Sequence, residues 1–439
     1  MSFWSFLIKS LGSYASFYYS PPEIMGDLEC YSEQPKEFKK KRMSLPRSVR
    51  SWAFYDFANS SYVLIYSSFL LPVFFTTVLA GRGLTLSSWG WANGISTLLG
   101  VIGAVIVGYF ADHHSRLSVF RKSVIAAFVG MVAVALAVQY FVDYLYIIFI
   151  ATNALFILSV SLSDSILPYL GTTSKDPYHY GGFAWGFGYI GGVASLIIVL
   201  ILQRFTSEYS SLVFLSVAIF YLVFSFYSLR GLKNVALNEP PAQDAQSLIT
   251  KSQKIILFLG YWLISECITV VILFFSIFAN RELKLSSAVI GVFLLVVQLV
   301  AFPATWYGGY LSKRYNPLSL LGLTIIFWGA TIGLLVSHPS IWTMIAVTIL
   351  GGFAVGNSQS YLRSQYATLI NRSESGFQFG IYAIVSEAAV FIGPIMYGYA
   401  SDHLHSQRVP LMGLFVLMVL GYALVRLVVG RVKIQSQAA

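Results

Sequence analysis

Gly108-Tyr109-Phe110-Ala111-Asp112-His113-His114-Ser115-Arg116 separates two apolar runs, near 89–110 and 122–142. Each run has about 20 residues, the length a helix needs to cross ~30 Å of hydrocarbon. The stretch between them therefore reads as a short polar loop joining two membrane spans. Gly108 permits close approach of another helix, and Asp112 is placed to pair with Arg116, Arg121 and Lys122 and so hold one face of a helix bundle shut. Working outward, similar runs lie near 52–80, 144–170, 182–203 and 211–229, which makes six. A polar stretch from Arg230 to Gln253, with Asn238-Glu239-Pro240-Pro241 inside it, reads as a linker. Six more runs follow near 254–279, 287–311, 317–337, 340–365, 377–401 and 409–430. The expected fold is an all-α polytopic membrane protein of twelve transmembrane helices in two six-helix halves. Its expected division is a tail 1–50, halves 51–229 and 254–431, a linker 230–253 and a tail 432–439.

Composition agrees with that reading. The 439 residues are 57% hydrophobic and 10% charged, against roughly 25% charge in a soluble domain. Too few polar side chains are present to coat a folded surface in water. Lys and Arg number 28 against 18 Asp and Glu, an excess that in a soluble protein would suggest nucleic acid. Here it reads as a topology signal. With the N-terminus in the cytoplasm, only Arg82, Arg204, Arg281, Lys284 and Arg408 fall on the opposite side, so the positive-inside rule places both termini in the cytoplasm. The expected location is a bacterial inner membrane, or, as the family resemblance given below implies, a vacuolar membrane if the chain is eukaryotic, and the expected state is a monomer.

Cys30 and Cys267 offer neither a disulfide framework nor metal-ligand spacing. His113-His114 and Asp402-His403-Leu404-His405 fall on opposite faces and cannot share an ion. No phosphate-cradling G-x-x-x-x-G-K-[ST] run and no Ser-His-Asp set is present, so neither an enzyme nor a cofactor is expected. Phe3 to Tyr19, apolar but interrupted by Lys9, is not counted as a span. It reads as an interfacial helix, as a disordered tail, or as sequence upstream of a start at Met43.

The loop quoted first resembles the G-x-x-x-D-x-x-x-R signature of the major facilitator superfamily. Gly309-Tyr310-Leu311-Ser312-Lys313-Arg314, between spans 8 and 9, reads as a second copy that has lost the acid. Other stretches resemble one branch, the vacuole-effluxer-like permeases and their bacterial relatives. They are Trp52-Ala53-Phe54-Tyr55-Asp56-Phe57-Ala58-Asn59-Ser60 in span 1 and Gly182-Phe183-Ala184-Trp185-Gly186-Phe187-Gly188-Tyr189-Ile190-Gly191-Gly192 in span 5. Gln298 to Pro303, Gln359 to Tyr366, Phe379 to Tyr382 and Gly393-Pro394 add to the likeness. The resemblance implies a secondary transporter whose halves rock about a central site; eukaryotic relatives are associated with release of amino acids from the vacuole. Departures from the branch are acidic. Asp164 stands where the resemblance leads one to expect Asn, Ser265-Glu266 where Asn-Asp is usual, and Ser386-Glu387 where a Gly-Lys pair is usual.

Ionisable groups inside spans are costly, at least ~2.5–3.5 kcal/mol each by insertion scales, so those that persist face water, a partner or a substrate. Asp56 lies about a turn into span 1, while Asp164 and Arg363 lie toward the ends of spans 4 and 10. Glu266 in span 7 and Glu387 in span 11 fall near the midplane. The resemblance implies that spans 1, 4, 7 and 10 line a central cavity, and each carries one of these charges. Asp56, Asp164 and Arg363 read as part of a polar substrate and coupling pathway, or else the two acids simply reach interfacial water or pair with Arg363 as a gate. A midplane carboxyl such as Glu266 must be protonated, paired or in a wet cavity, which makes Glu266, then Glu387, the candidates for proton coupling. Asn59 and Gln359 are candidate substrate contacts, and Tyr55, Tyr62, Trp185, Tyr261, Trp262 and Tyr382 candidate cavity walls. Four acids against one base suggest a cationic or zwitterionic solute, such as an amino acid or amine. Two other readings stay open: a receptor or assembly factor that kept the fold without transport, and a membrane-embedded transferase, against which the scatter of the carboxylates over separate spans argues.

Overall fold

The computed structural model describes residues 45–77, 86–171, 175–207, 210–235, 237, 249–283, 287–337, 340–404, 406 and 408–438. The expected interfacial helix, the alternative start at Met43, most of the linker, and Arg82, Lys284 and His405 lie outside the described residues.

The described chain forms twelve long helices. The first, α1, is continuous from Arg47 to Thr77 but changes winding: Arg47–Ser61 is α-helical, Tyr62–Leu70 is π-helical and Leu71–Thr77 is α-helical again. Its wide turns end just before Pro72, which brings no N–H to the ladder, and Leu71 N–H reaches back five residues to the carbonyl of Tyr66. The rest are α2 (Leu86–His113), α3 (Arg116–Tyr140), α4 (Leu145–Asp164), α5 (Asp176–Leu202) and α6 (Ser211–Leu232), then α7 (Lys251–Leu283), α8 (Ser287–Leu311), α9 (Pro317–Ser337), α10 (Ile341–Ala367), α11 (Ser375–Leu404) and α12 (Arg408–Ala438). Ten of these, all but α1 and α11, contain described stretches long and apolar enough to cross a membrane. Their outer faces carry exposed Ile102, Ile106, Ile147, Ile201, Val223 and Ile326, as a bundle bathed in lipid requires.

Three helix limits differ from the hydropathy reading. Span 4 is interrupted after Asp164 by the turn Ser165–Ile166, and Pro168 opens a separate one-turn helix, Leu167–Leu170. Helix α5 begins at Asp176-Pro177, six residues before the apolar run, because Asp and Pro favour a helical first turn. Helix α12 runs on through its polar end to Ala438.

Packing is two-fold related. In the first half α1 packs on α5 and α6, α4 on α2 and α3, and α3 on α6; adding six to each number gives the pairs of the second half, α7 on α11 and α12, α10 on α8 and α9, and α9 on α12. The halves meet along two seams, α2 against α11 and α5 against α8, which the same operation interchanges. Glycine allows both close approaches. A Cβ at Gly108 would strike the backbone of Gly376, and one at Gly182 would lie 2.8 Å from the Cα of Gly309. The α2/α11 seam continues through Gly380 against Val105 and then Val101 packed with Ala383. One turn beyond, Leu98 is 60% exposed and Glu387 is partly exposed. Both seams are thus tight at one end of the bundle, the end carrying Arg116, Arg121, Lys122, Lys175, Arg230, Lys313, Arg314 and Arg372 and called here the basic end.

Candidate functional site

Arg363 stands in the last two turns of α10, 2% exposed, and reaches across to the first half. Its Nη1 donates to Asp164 Oδ1 at 2.8 Å and its Nη2 to Asp56 Oδ2 at 3.0 Å and to the Gly181 carbonyl at 3.3 Å. The guanidinium lies over two indole rings, 5.1 Å from the centroid of Trp52 and 4.6 Å from that of Trp185. Trp52 is fixed in turn by Nε1, which donates to the Ser163 carbonyl at 2.9 Å. Removing three charges from water costs several kcal/mol per ion; the forked pairing and the two ring faces offset that cost as only a planar cation can. Two carboxylates against one guanidinium leave an excess of acceptors. Asp56 and Asp164 are both paired with Arg363 in this arrangement. Sequence reading took Trp185 as a cavity wall and Trp52 only as part of a family-like stretch, and it missed Gly181. Both indoles lie in stretches dense in aromatic residues, which masked them.

A second set closes the α2/α11 seam. Asp112 Oδ1 accepts the N–H of Gly376 and Oδ2 that of Phe377, both at 2.8 Å, so a carboxylate sits on the N-terminus of α11 where the helix dipole favours it. Arg116 Nη2 donates to Asp112 Oδ1 at 2.6 Å and to Tyr169 Oη at 3.2 Å; its Nη1 donates to Ser165 Oγ at 3.2 Å and to Ser375 Oγ. Tyr169 Oη donates to the Arg372 carbonyl at 2.6 Å, and Arg372 Nη2 to the Gly171 carbonyl at 3.1 Å. At the other seam Lys175 Nζ donates to the Lys313 carbonyl at 3.0 Å.

Arg121 and Lys122 do not join this gate. They follow Arg116 by five and six residues, which turns them about 140° and 240° round α3, and both are exposed. What Asp112 grips across the seam is backbone N–H, not a cation. Sequence reading missed Ser165, Tyr169, Arg372 and Ser375; the Ser375-Gly376 pair ahead of an apolar run was the available sign of a helix start.

Glu266 lies at the middle of α7, 3% exposed; the Trp262 indole N–H and the Gly393 backbone N–H adjoin its carboxyl, but no hydrogen bond of good geometry forms to either oxygen among the described residues. Trp262 Nε1, one turn earlier on the same face, is likewise without a partner. Gly393 of α11 packs directly on the carboxyl, and any side chain there would collide with it. Glu387 continues the face of α11 that Gly376, Gly380 and Ala383 present to α2, seven residues past Gly380, and makes no hydrogen bond or ion pair among the described residues. Asn59 and Gln359 lie about one turn from Asp56 and Arg363, each toward the membrane interior, half-buried and with no side-chain hydrogen bond among the described residues.

The aromatic candidates divide. Tyr55 Oη is bonded to Ser159 Oγ at 2.6 Å, and Tyr62 Oη donates to Asn153 Oδ1 at 3.1 Å, so both tie helices of the first half together and line no open space. Tyr261 and Tyr382 pack with Tyr366 between α7, α10 and α11. Among the described residues no group of three His, Cys, Asp or Glu is placed to hold a metal ion.

A profile of the family described as "Vacuole effluxer Atg22 like" matches residues 181–438. Over 416 residues the chain is 22% identical to a Bacillus subtilis (strain 168) protein called "Uncharacterized MFS-type transporter YxiO", covering 87% of this chain and 95% of that one. It is 23% identical to autophagy-related protein 22 of Kluyveromyces lactis over 176 residues, 38% of this chain and 36% of that one. Among solved structures, a bacterial homologue of the iron transporter ferroportin in an outward-facing state superposes with TM-score 0.65 at 15% identity, covering 87% of this chain and 98% of the other. The major facilitator transporter FucP in its outward conformation gives 0.64 at 15% identity over the same shares.

Proposed function

Because this chain belongs to the family of Atg22-like vacuole effluxers and has the fold of a major facilitator transporter, we propose that it moves a small polar solute, cationic or zwitterionic such as an amino acid or amine, in exchange or symport with protons. Its two halves rock about a central path that holds Asp56, Asn59, Asp164, Glu266, Gln359, Arg363 and Glu387. The observation that carries this reading is the buried cluster in which Arg363 of one half is held by Asp56 and Asp164 of the other. Such a cluster forms only while the basic end is closed. When that end opens, three charges must find water, a proton or a substrate group in place of one another, which couples ligand charge to conformation.

Placing the basic end in the cytoplasm, as the positive-inside rule does, makes the described arrangement open to the outside or to the vacuole lumen. Glu266 supplies the proton site in this scheme. A carboxyl buried without a partner is neutral unless water or a cation reaches it, so it gains and loses a proton as access alternates. Asp112 and Arg116 hold the closed state and take no part in binding.

The test is flux in proteoliposomes under an imposed pH gradient, after a thermal-shift panel of amino acids, amines and organic acids on purified protein. We expect a stabilising amine or amino acid that is accumulated in response to the gradient, and loss of the gradient response in Glu266→Gln with exchange retained. An undiminished gradient response in Glu266→Gln removes Glu266 from the proton role. No ligand and no flux across the panel would favour the receptor or assembly-factor reading.

A further inference from the structure

The first two turns of α3 and the last turn of α6 leave a concavity at the basic end, lined by Ser115, Ser118, Arg121, Phe226, Arg230 and Lys233 among others. Three cations and two hydroxyls line it, and no acid does. Arg121, Arg230 and Lys233 are exposed, and none has a carboxylate partner among the described residues. The Arg230 guanidinium lies over the Phe226 ring, 4.5 Å from its centroid, so one face is packed while its N–H edge stays free to donate. Ser115 precedes the first turn of α3, which adds the positive end of a helix dipole to the same spot.

Just beyond the concavity the same two helices turn apolar and stay uncovered. Ile125 and Val129 of α3 and Val223 and Tyr227 of α6 are exposed toward the membrane. Three unbalanced cations above a greasy wall, at the height where hydrocarbon gives way to headgroups, match a molecule with an anionic head and apolar tails. We propose that this concavity is a binding site for the phosphoryl headgroup of an anionic phospholipid from the leaflet at the basic end. Guanidinium groups bind phosphoryl oxygens through paired, charge-assisted hydrogen bonds, and basic pockets between membrane helices suit such headgroups. Free phosphate offers the same polar chemistry; the apolar wall continuing from the pocket selects the lipid. The site also adjoins the gate, since Ser115 directly precedes Arg116, whose guanidinium grips Asp112. A headgroup seated on Ser115 and Arg121 therefore steadies the loop that holds the α2/α11 seam closed.

Native mass spectrometry of the full chain, purified from mixed phosphatidylglycerol and phosphatidylcholine, tests this. Phosphatidylglycerol should be retained in preference, and Arg121→Gln, Arg230→Gln and Lys233→Gln should each lower its retention about fivefold. Arg431→Gln, an exposed cation at the same end on α12, should change nothing. Lys233 lies past the end of α6 and is exposed, so its variant reports even if an arginine variant misfolds. In a parallel thermal-shift series, phosphatidylglycerol should raise Tm while inorganic phosphate and glycerol phosphate do not. Equal retention of the two lipids, or equal loss in Arg431→Gln, would leave these cations as topology determinants only and overturn the proposal. Stabilisation by inorganic phosphate to the same extent would make it a free-anion site and overturn the assignment to lipid.

Discussion

Arg363 is held by shape as much as by charge. Its fork meets two carboxylates on different helices while its guanidinium carbon lies over two indole rings. Lysine carries the same charge but has neither the fork nor the plane. Arg363→Lys is therefore expected to yield folded protein whose flux falls at least about tenfold, since a point charge satisfies one carboxylate at a time. Arg363→Gln leaves Asp56 and Asp164 facing each other unpaired, and should cost about 3–5 kcal/mol, the usual penalty for removing one partner of a buried pair. Thermal unfolding of both variants beside flux separates the effects; equal melting of Arg363→Gln and the parent would mean that the cluster carries no folding energy. The members of this cluster were legible in the sequence, because each is an ionisable group inside an apolar run. Their mutual contact was not, since Asp164 and Arg363 lie 199 residues apart and hydropathy gives depth without azimuth. Arg121 and Lys122 show the same limit from the other side: near Asp112 in sequence, they point elsewhere on α3.

At the scale of elements, the two seams are alike in glycine and unlike in charge. Gly108 against Gly376 and Gly182 against Gly309 bring backbones together in both, yet among the described residues a carboxylate from the opposite half is seen on the N-terminus of α11 and not on that of α5. Counting four residues from Gly309, as from Gly108 to Asp112, gives Lys313, and α5 has only its own Asp176 in its first turn. The α2/α11 seam should accordingly hold the closed state more firmly. Asp112→Asn, which keeps an acceptor but removes the charge facing the helix end and Arg116, should weaken closure by about 1–2 kcal/mol. A cysteine placed at Ser165, fully buried beneath the gate, should then react with a membrane-impermeant maleimide applied at the basic end about tenfold faster than in the Asp112 parent. Unchanged labelling would mean that glycine packing alone closes the seam. The second copy of the loop announced this asymmetry in the sequence, through its missing acid. The partner of Asp112 was hidden, because backbone N–H groups leave no mark in a residue pattern beyond the Ser375-Gly376 helix start.

For the whole molecule, the rocking proposed above would leave the packing inside each half as it is and alter the set of contacts between halves. At the basic end those contacts include Arg363 with Asp56 and Asp164, Asp112 with the start of α11, Ser375 Oγ with the Ser165 carbonyl at 2.8 Å, Tyr169 with the Arg372 carbonyl, and Lys175 with Lys313. Away from it, past Val101 and Ala383, Leu98 and Glu387 are no longer buried. Rigid-body rocking requires all of these links to break together, so tying any one seam at the basic end should stop turnover while leaving each half folded. Cysteines at Lys175 and Lys313, in a chain with Cys30 and Cys267 replaced by serine, stand on opposite halves where one lysine already reaches the other's backbone. Joining them with a short cleavable bis-maleimide should abolish flux, leave Tm unchanged or raised, and restore flux on cleavage. A cysteine at Gln359, on the interior side of Arg363, should remain open to reagent from the end opposite the basic one in the tied protein, because tying holds the arrangement already described. Flux that persists at the untied rate in fully cross-linked protein would show that the path opens without separation of the α5/α8 seam, and the two halves would then have to move by some means other than rocking.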